Sequence, residues 1–181
     1  MIAKSQDVVV ALTLVVLSRE QSKRMAYSQL GEMLCMSSSE AFKATQRLVR
    51  SALVEPGGWR PLTGPLWDYL VFGVPHAFPG RIGEPTRGLP TAWAAEPIAS
   101  SMPQGSDLPP VWPWSEGKER GYSVEPLFPS VPDAVKNLPS LYAPLALVDS
   151  LRLGRARDRE IGTRMLKEFL HHDIKLTGID A

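Results

Sequence analysis

Apolar residues recur at three- and four-residue intervals through the first sixty positions, a period that predicts helices. Val8, Val9, Ala11, Leu12, Val15 and Val16 predict a helix from about Asp7 to Ser18, with Ser5 as a cap. Asp7 falls in its first turn, where the helix dipole favours a carboxylate. Ser28 opens a short second helix through Leu34 that turns Leu30, Met33 and Leu34 inward. Ser37 and Glu40 then form an S-x-x-E box, in which each side chain satisfies the other residue's backbone amide at a helix start. The third helix runs from about Ser38 to Ala52, leads into Leu53-Val54, and is stopped by Pro56, Gly57 and Gly58. Beyond Pro61 the period is lost. One short helix is predicted at Pro65–Phe72, with proline in its first turn and Gly73 as its C-cap. Short extended pieces are expected around His76–Phe78, Thr91–Ala94 and Ser123–Phe128, separated by loops rich in Pro and Gly. Helical spacing returns over Leu141–Leu153, breaks at Gly154, and resumes from about Arg155 to Leu170. The class is α+β, mainly α.

Composition sharpens this into three regions. The chain has 181 residues, 44% apolar and 22% charged, which supports a substantial core and excludes wholesale disorder. Residues 1–60 carry eight basic and five acidic side chains, a net of +3. Residues 61–139 carry five and eight, a net of −3, and hold fifteen of the seventeen prolines. Four of the five tryptophans lie between Trp67 and Trp114, so this middle region is expected to be a packed irregular unit with short strands. Residues 140–181 carry seven and six, a net of +1. With +1 overall the chain is no polycation, and any nucleic-acid surface must be local; the basic end is the N-terminal third. A single cysteine excludes an internal disulfide framework and a Cys-cluster zinc site, and suits a reducing cytoplasm. The apolar run Val8–Leu17 is about ten residues long, too short to span a bilayer. No small-x-small cleavage site follows it before Arg19 and Glu20. A cytoplasmic protein with no membrane partner is expected.

The segment Tyr27–Val54, YSQLGEMLCMSSSEAFKATQRLVRSALV, carries the most specific pattern. Its order of short helix, tight turn, serine-capped helix and terminal Leu-Val resembles the helix-turn-helix of winged-helix transcriptional regulators, the MarR-like group in particular. The likeness covers the first 55 to 60 residues. It implies a DNA-binding domain at 1–60, followed by the Pro/Trp-rich unit at 61–139 and C-terminal helices at 140–181 that serve dimerisation. Leu30, Leu34, Ala41, Ala44, Thr45, Leu48 and Leu53 match the family's core positions. Ser37, Ser38, Ser39, Glu40, Phe42, Lys43, Gln46, Arg47 and Arg50 match its solvent- or DNA-facing ones. The resemblance therefore implies double-stranded DNA as partner, with the helix Ser37–Ala52 in the major groove of a repressor's operator. The expected contacts are Ser37, Ser38, Ser39, Lys43, Gln46, Arg47, Arg50 and Arg60. It also implies a homodimer, because two such helices meet half-sites about one DNA turn apart. The residue chemistry agrees, since hydroxyls at a positive helix end suit phosphate and long donors further along suit base edges or backbone. Each of these residues singly also fits a solvated helix face.

Three positions depart from the family pattern. Cys35 stands where the turn usually carries glycine, so a side chain must occupy a less favourable backbone conformation. It is expected to be a small core residue, a redox sensor being the alternative. Phe42 replaces a small polar residue and is expected to pack inward on a slightly rotated helix, the alternative being contact with a thymine methyl. The wing is cut back to Gly57-Gly58-Trp59-Arg60.

Elsewhere an Arg-Gly theme appears at Arg81, Arg87-Gly88 and Arg120-Gly121. It suits phosphate in place of the lost wing, or turn glycines with arginines held by neighbouring carboxylates or carbonyls. The stretches VWPWSEGKERGYSVEPLFP and Leu141–Asp149 resemble recurring segments of poorly characterised bacterial proteins with an N-terminal helix-turn-helix. The apolar faces within 145–169 suit a dimer interface or a cover for the N-terminal domain equally well. Enzyme readings fare poorly. His76 has no ligand-spaced neighbour, His171 and His172 point to different faces, and no nucleophile elbow, phosphate loop or dinucleotide fingerprint is present. No catalytic residue, metal or cofactor is expected. The alternative to a regulator is a protein-interaction module, such as an antitoxin or an operon-encoded adaptor, for which Trp93, Trp112 and Trp114 would form an exposed cluster. Small-molecule sensing in the Trp/Pro unit has compositional support only.

Overall fold

The computed structural model describes residues 3–20, 24–101 and 108–171. Helix α1 (Ser5–Arg19) is apolar on every side, and every residue from Asp7 to Leu17 is buried. A helix with no polar face must be enclosed. It packs against α3 (Ser38–Arg50) in one direction, and against α7 (Tyr142–Leu153) and the 3-10 turn Pro139–Leu141 in the other. Thr13, buried in its middle, donates its hydroxyl to the Val9 carbonyl at 2.8 Å.

Helix α2 (Tyr27–Met33) turns tightly into α3. The Met36 amide bonds the Gly31 carbonyl and the Cys35 amide bonds that of Glu32, the paired closure of a Schellman end. Helix α3 ends the same way, through Leu53 to Leu48 and Ala52 to Val49. In both turns a non-glycine residue takes the left-handed position, Cys35 at φ 51° and Ala52 at φ 53°. Beyond α3 the chain doubles back through a single antiparallel bridge, Val54 to Pro61, flanked by the Glu55 amide on the Arg60 carbonyl.

A continuous helical stretch follows: α4 (Thr63–Asp68), a π turn (Tyr69–Gly73) and α5 (Val74–Ala77). The predicted helix at 65–72 is therefore longer, and its Gly73 stays right-handed inside the rod. The wider π turn, closed by the Val74 amide on the Tyr69 carbonyl, gives room to the Pro75 ring, which would strike the Val71 carbonyl in a regular α-helix. His76 and Ala77 consequently end a helix instead of forming an extended piece.

The sheet is small and closes on itself. Strand β1 (Ile82–Pro90) pairs antiparallel with both β2 (Pro110–Pro113) and β3 (Glu119–Val124), and β2 pairs parallel with β3. The extended pieces expected at 91–94 and 123–128 are displaced. Ala92–Ala94 is a 3-10 turn, and only Ser123 and Val124 of the latter lie in a strand. Helix α6 (Val131–Asn137) was not expected, although Ser130 with Pro132 and Asp133 just inside the start is a legible helix opening.

Helices α7 and α8 (Ala156–His171) match expectation closely, with Gly154 between them in the left-handed region at φ 82°. Every residue of α7 from Tyr142 to Arg152 is buried by its own chain, and α8 packs over α7 and α4. The apolar faces of the C-terminal helices thus cover the core, and the outward residues of α8, among them Arg157, Glu160, Arg164 and Lys167, are charged. His171 sets its ring against Trp67 at 6.4 Å, while His172 lies outside the described residues.

A buried anchor locks the middle region to the C-terminal helices. Asp149, on α7, accepts from Thr91 Oγ1 at 2.8 Å, from Trp112 Nε1 at 2.6 Å and from the Arg152 guanidinium. Arg152 also donates to the carbonyls of Phe78 and Glu125. Tyr142 adds a bond to the Pro90 carbonyl at 2.7 Å, and burial drives its phenol far above the ordinary tyrosine range. The run Leu141–Asp149, singled out by its sequence, is this anchor.

Candidate nucleic-acid interface

The capping box forms as its spacing predicts. The Glu40 amide donates to Ser37 Oγ at 3.1 Å, and the Ser37 amide and hydroxyl donate to Glu40 Oε2 at 3.0 and 2.8 Å. These bonds, the backbone one first, hold the Glu40 carboxyl below the usual glutamate value. The box fixes the positive end of α3 at the surface, with Ser37, Ser38 and Ser39 all exposed.

Along α3, Lys43 and Arg50 point into solvent and Gln46 is half-buried. Among the described residues none of the three has a hydrogen-bond or ion-pair partner. Arg60, on the turn that follows α3, is exposed and meets Glu55 at 3.7 Å. Phe42 also faces outward, 46% exposed, with its edge on the Tyr27 ring at 5.2 Å; the inward packing expected for it does not occur. Tyr27 in turn lies 5.6 Å from Trp59, and the Arg24 guanidinium sits over Trp59. An aromatic row of Phe42, Tyr27 and Trp59 therefore borders the basic face of α3.

Arg47 is the correction. Expected to reach outward with Lys43, Gln46 and Arg50, it turns inward and makes a bidentate pair with Asp7 of α1, Nε to Oδ2 at 2.8 Å and Nη2 to Oδ1 at 2.5 Å. The side chains are 11% and 2% exposed. The hydrogen bond to Asp7 raises the guanidinium pKa, so its charge is committed to the core. The reason is angular. Arg47 lies between the core residues Ala44 and Leu48 and the outer face, and the crossing of α1 over α3 brings a buried carboxylate within its reach. Sequence had flagged Asp7 only as a first-turn acid.

Cys35 is exposed, not a core residue. The Asn137 amide, on α6, lies 3.3 Å from its sulfur and donates to the Met33 carbonyl at 3.2 Å. Ser130, at the start of α6, donates to the Leu34 carbonyl at 2.7 Å. Helix α6 thus satisfies carbonyls left open at the end of α2 and braces the turn that orients α3. The other end of this brace is Trp114, whose indole N–H donates to Asp133 at 2.9 Å and whose ring carries the Lys136 ammonium, itself paired with Glu116. Between α6 and the sheet lies a cavity of about 500 Å³ lined by Leu89, Pro90, Trp114, Val135 and Tyr142 among others.

The tryptophans do not form an exposed cluster. Trp112 is fully buried and Trp93 and Trp114 are half-buried, with Arg155 over the Trp93 ring. Arg81, Arg87 and Arg120 are exposed, and among the described residues none is held by a carboxylate or a carbonyl. No group of three or more His, Cys, Asp or Glu side chains placed to hold a metal occurs among the described residues. No described helix is long and apolar enough to cross a membrane.

Compared with protein families, curated proteins and solved structures, the chain has no significant match.

Proposed function

We propose that this protein is a cytoplasmic, sequence-specific DNA-binding regulator of the winged-helix type, a repressor, that lodges α3 in the major groove. The observation that supports this best is the exposed face of α3. Three hydroxyls crowd its positive end, and Lys43, Gln46 and Arg50 follow at spacings of three and four with no partner in the described chain. An unpaired basic face on a helix held by a capping box and an α6 brace is suited to polyanion binding, with Ser38 and Ser39 on phosphate, Lys43 and Gln46 on base edges or backbone, and Arg50 on phosphate, while Ser37 keeps both its donors on Glu40. Arg60 can join them by leaving its exposed, weak pairing with Glu55. Arg47 has no part in this surface. Phe42, outward on the same helix, suits contact with a thymine methyl. Two copies on two half-sites remain the natural arrangement, with the pairing surface elsewhere than on α7.

The test is anisotropy binding to the DNA upstream of its own gene against a scrambled duplex, at two salt concentrations. Selective binding that weakens with salt is expected, because phosphate contacts release counterions. Lys43→Ala with Arg50→Ala is expected to weaken binding at least tenfold. Equal, weak binding to both duplexes would overturn the reading in favour of a protein-interaction module such as an antitoxin or adaptor, a role that the burial of Trp112 does not favour.

A further inference from the structure

The two Arg-Gly dipeptides of the middle region, thirty-three positions apart in sequence, are paired across one β-ribbon. Arg87 stands directly opposite Arg120 in the antiparallel β1–β3 register, and Pro85 stands opposite Tyr122 two positions along. Because side chains alternate faces, these four residues share one side of the ribbon, and all four are exposed, Tyr122 by 39%. The glycines explain why the arginines have no choice of side. Gly88 and Gly121 are buried on the opposite face, where β2 crosses. A Cβ on Gly88 would lie 2.0 Å from the Trp112 carbonyl oxygen, and one on Gly121 would lie 2.0 Å from that of Pro109. The inward position must be glycine, and each arginine next to it must point out.

Two like charges directly opposite on an antiparallel pair repel and reduce stability. Nothing in the described chain offsets this, since no carboxylate reaches either guanidinium and Glu119, paired in register with Gly88, belongs to the glycine face. The ribbon is also tied to the helix pair by short links. The Arg87 carbonyl accepts from the Trp114 amide, the Trp114 indole binds Asp133 of α6, and Ser130 and Asn137 at the two ends of α6 bind the α2–α3 turn.

From this geometry we infer that the β1–β3 ribbon is a second DNA-contacting surface, on which Arg87 and Arg120 together grip the sugar–phosphate backbone of a duplex beside Tyr122. The assignment rests on the DNA-binding reading of α3 and adds phosphate contacts to the one that Arg60 can supply from the shortened turn at Gly57–Arg60. A phosphate chain neutralises both guanidinium groups at once and so removes the repulsion that the fold leaves standing.

The experiment compares the full-length protein with R87A/R120A, R87K/R120K and K43A/R50A on its selected duplex, across a salt series. R87A/R120A is expected to bind about tenfold more weakly at moderate salt, with the slope of log affinity against log salt reduced by about two. Its melting temperature should be unchanged or slightly raised, which shows that the ribbon still folds. R87K/R120K should keep most of the slope. Wild-type binding that K43A/R50A destroys and R87A/R120A leaves untouched in affinity and slope would overturn the ribbon assignment while leaving the α3 reading intact. Absence of wild-type binding to any duplex would overturn both. A ribbon variant that binds DNA normally but no longer binds a labelled polyglutamate peptide would assign the paired arginines to an acidic protein surface instead.

Discussion

Asp7 and Arg47 lie forty residues apart and meet as a closed pair, two donor nitrogens on one carboxylate, with neither group much wetted. Removing one member leaves the other charge in a poorly solvated place, which is far more costly than the net worth of the pair. Arg47→Ala should therefore destabilise the protein by about 3 kcal/mol, a fall of roughly 6–12 °C in melting temperature for a chain of this size. Lys43→Ala and Arg50→Ala, at exposed positions on the same helix, should stay within about 0.5 kcal/mol of wild type. Thermal unfolding of the three variants side by side checks this, and a silent Arg47→Ala would mean that the Asp7 pairing does not exist in solution. The left-handed residues make a second prediction at the same scale. Cys35 and Ala52 adopt φ of 51° and 53°, where a Cβ crowds the following carbonyl. Ala52→Gly removes that crowding at an exposed site and should raise stability by about 0.5–1 kcal/mol in urea titration; a loss of stability would show that entropy in the unfolded chain outweighs the strain.

At the scale of elements, the longer helices were legible, while α6 and the sheet were not. The S-x-x-E box, the apolar spacing of α3 and the Gly154 break each state their element locally, and the observed boundaries fall within a residue or two of those expected. Strand β1 instead contains Gly83, Pro85, Gly88 and Pro90, residues that normally argue against a strand. For Gly88 the reason is tertiary, because β2 crosses too close for any side chain there, and no pattern within nine residues can announce that. The candidate site divides the same way. The exposure of Ser37, Ser38, Ser39, Lys43 and Arg50 followed from helical spacing, whereas the inward turn of Arg47 depends on where α1 crosses α3. The box itself carries a pH-dependent prediction. Glu40 has a folded pKa below its unfolded one, so its contribution is present above the unfolded value and is lost as pH falls through the folded value. Glu40→Ala should cost from a few tenths to about 1 kcal/mol near neutrality, and that cost should shrink towards zero as the medium is taken below about pH 4. A penalty independent of pH would mean that helix propensity, not the carboxylate bond to Ser37, sets the effect.

At the scale of the whole molecule, composition and core do not share boundaries. Charge and proline content break the chain at 60 and 139, yet one continuous hydrophobic cluster takes residues from α1, α2 and α3, from the α4–α5 stretch, and from α6, α7 and α8. Helix α1 is the reason. Val8, Val9, Val10, Leu12, Leu14 and Val15 are all at most 2% exposed, and they surround the helix, so α2 and α3 can cover only part of it. Its remaining surface is closed by α7 and the turn at Pro139–Leu141, more than 120 residues later. Exposing even three of those side chains to water costs on the order of 5 kcal/mol, comparable with the whole stability of a small domain. A fragment of residues 1–60 should therefore fail to fold alone: little helical signal, no cooperative melt, and self-association as the apolar flank of α1 seeks cover. The intact chain should unfold in a single transition reported alike by tryptophan fluorescence, which samples the middle region, and by far-ultraviolet circular dichroism, which samples the helices. Two separated transitions, or a fragment with a sharp melt of its own, would show that the helix pair is autonomous. If the chain behaves as one unit, any force on the paired-arginine ribbon is felt at α3 through the Trp114–α6 brace, because both surfaces stand on the same core.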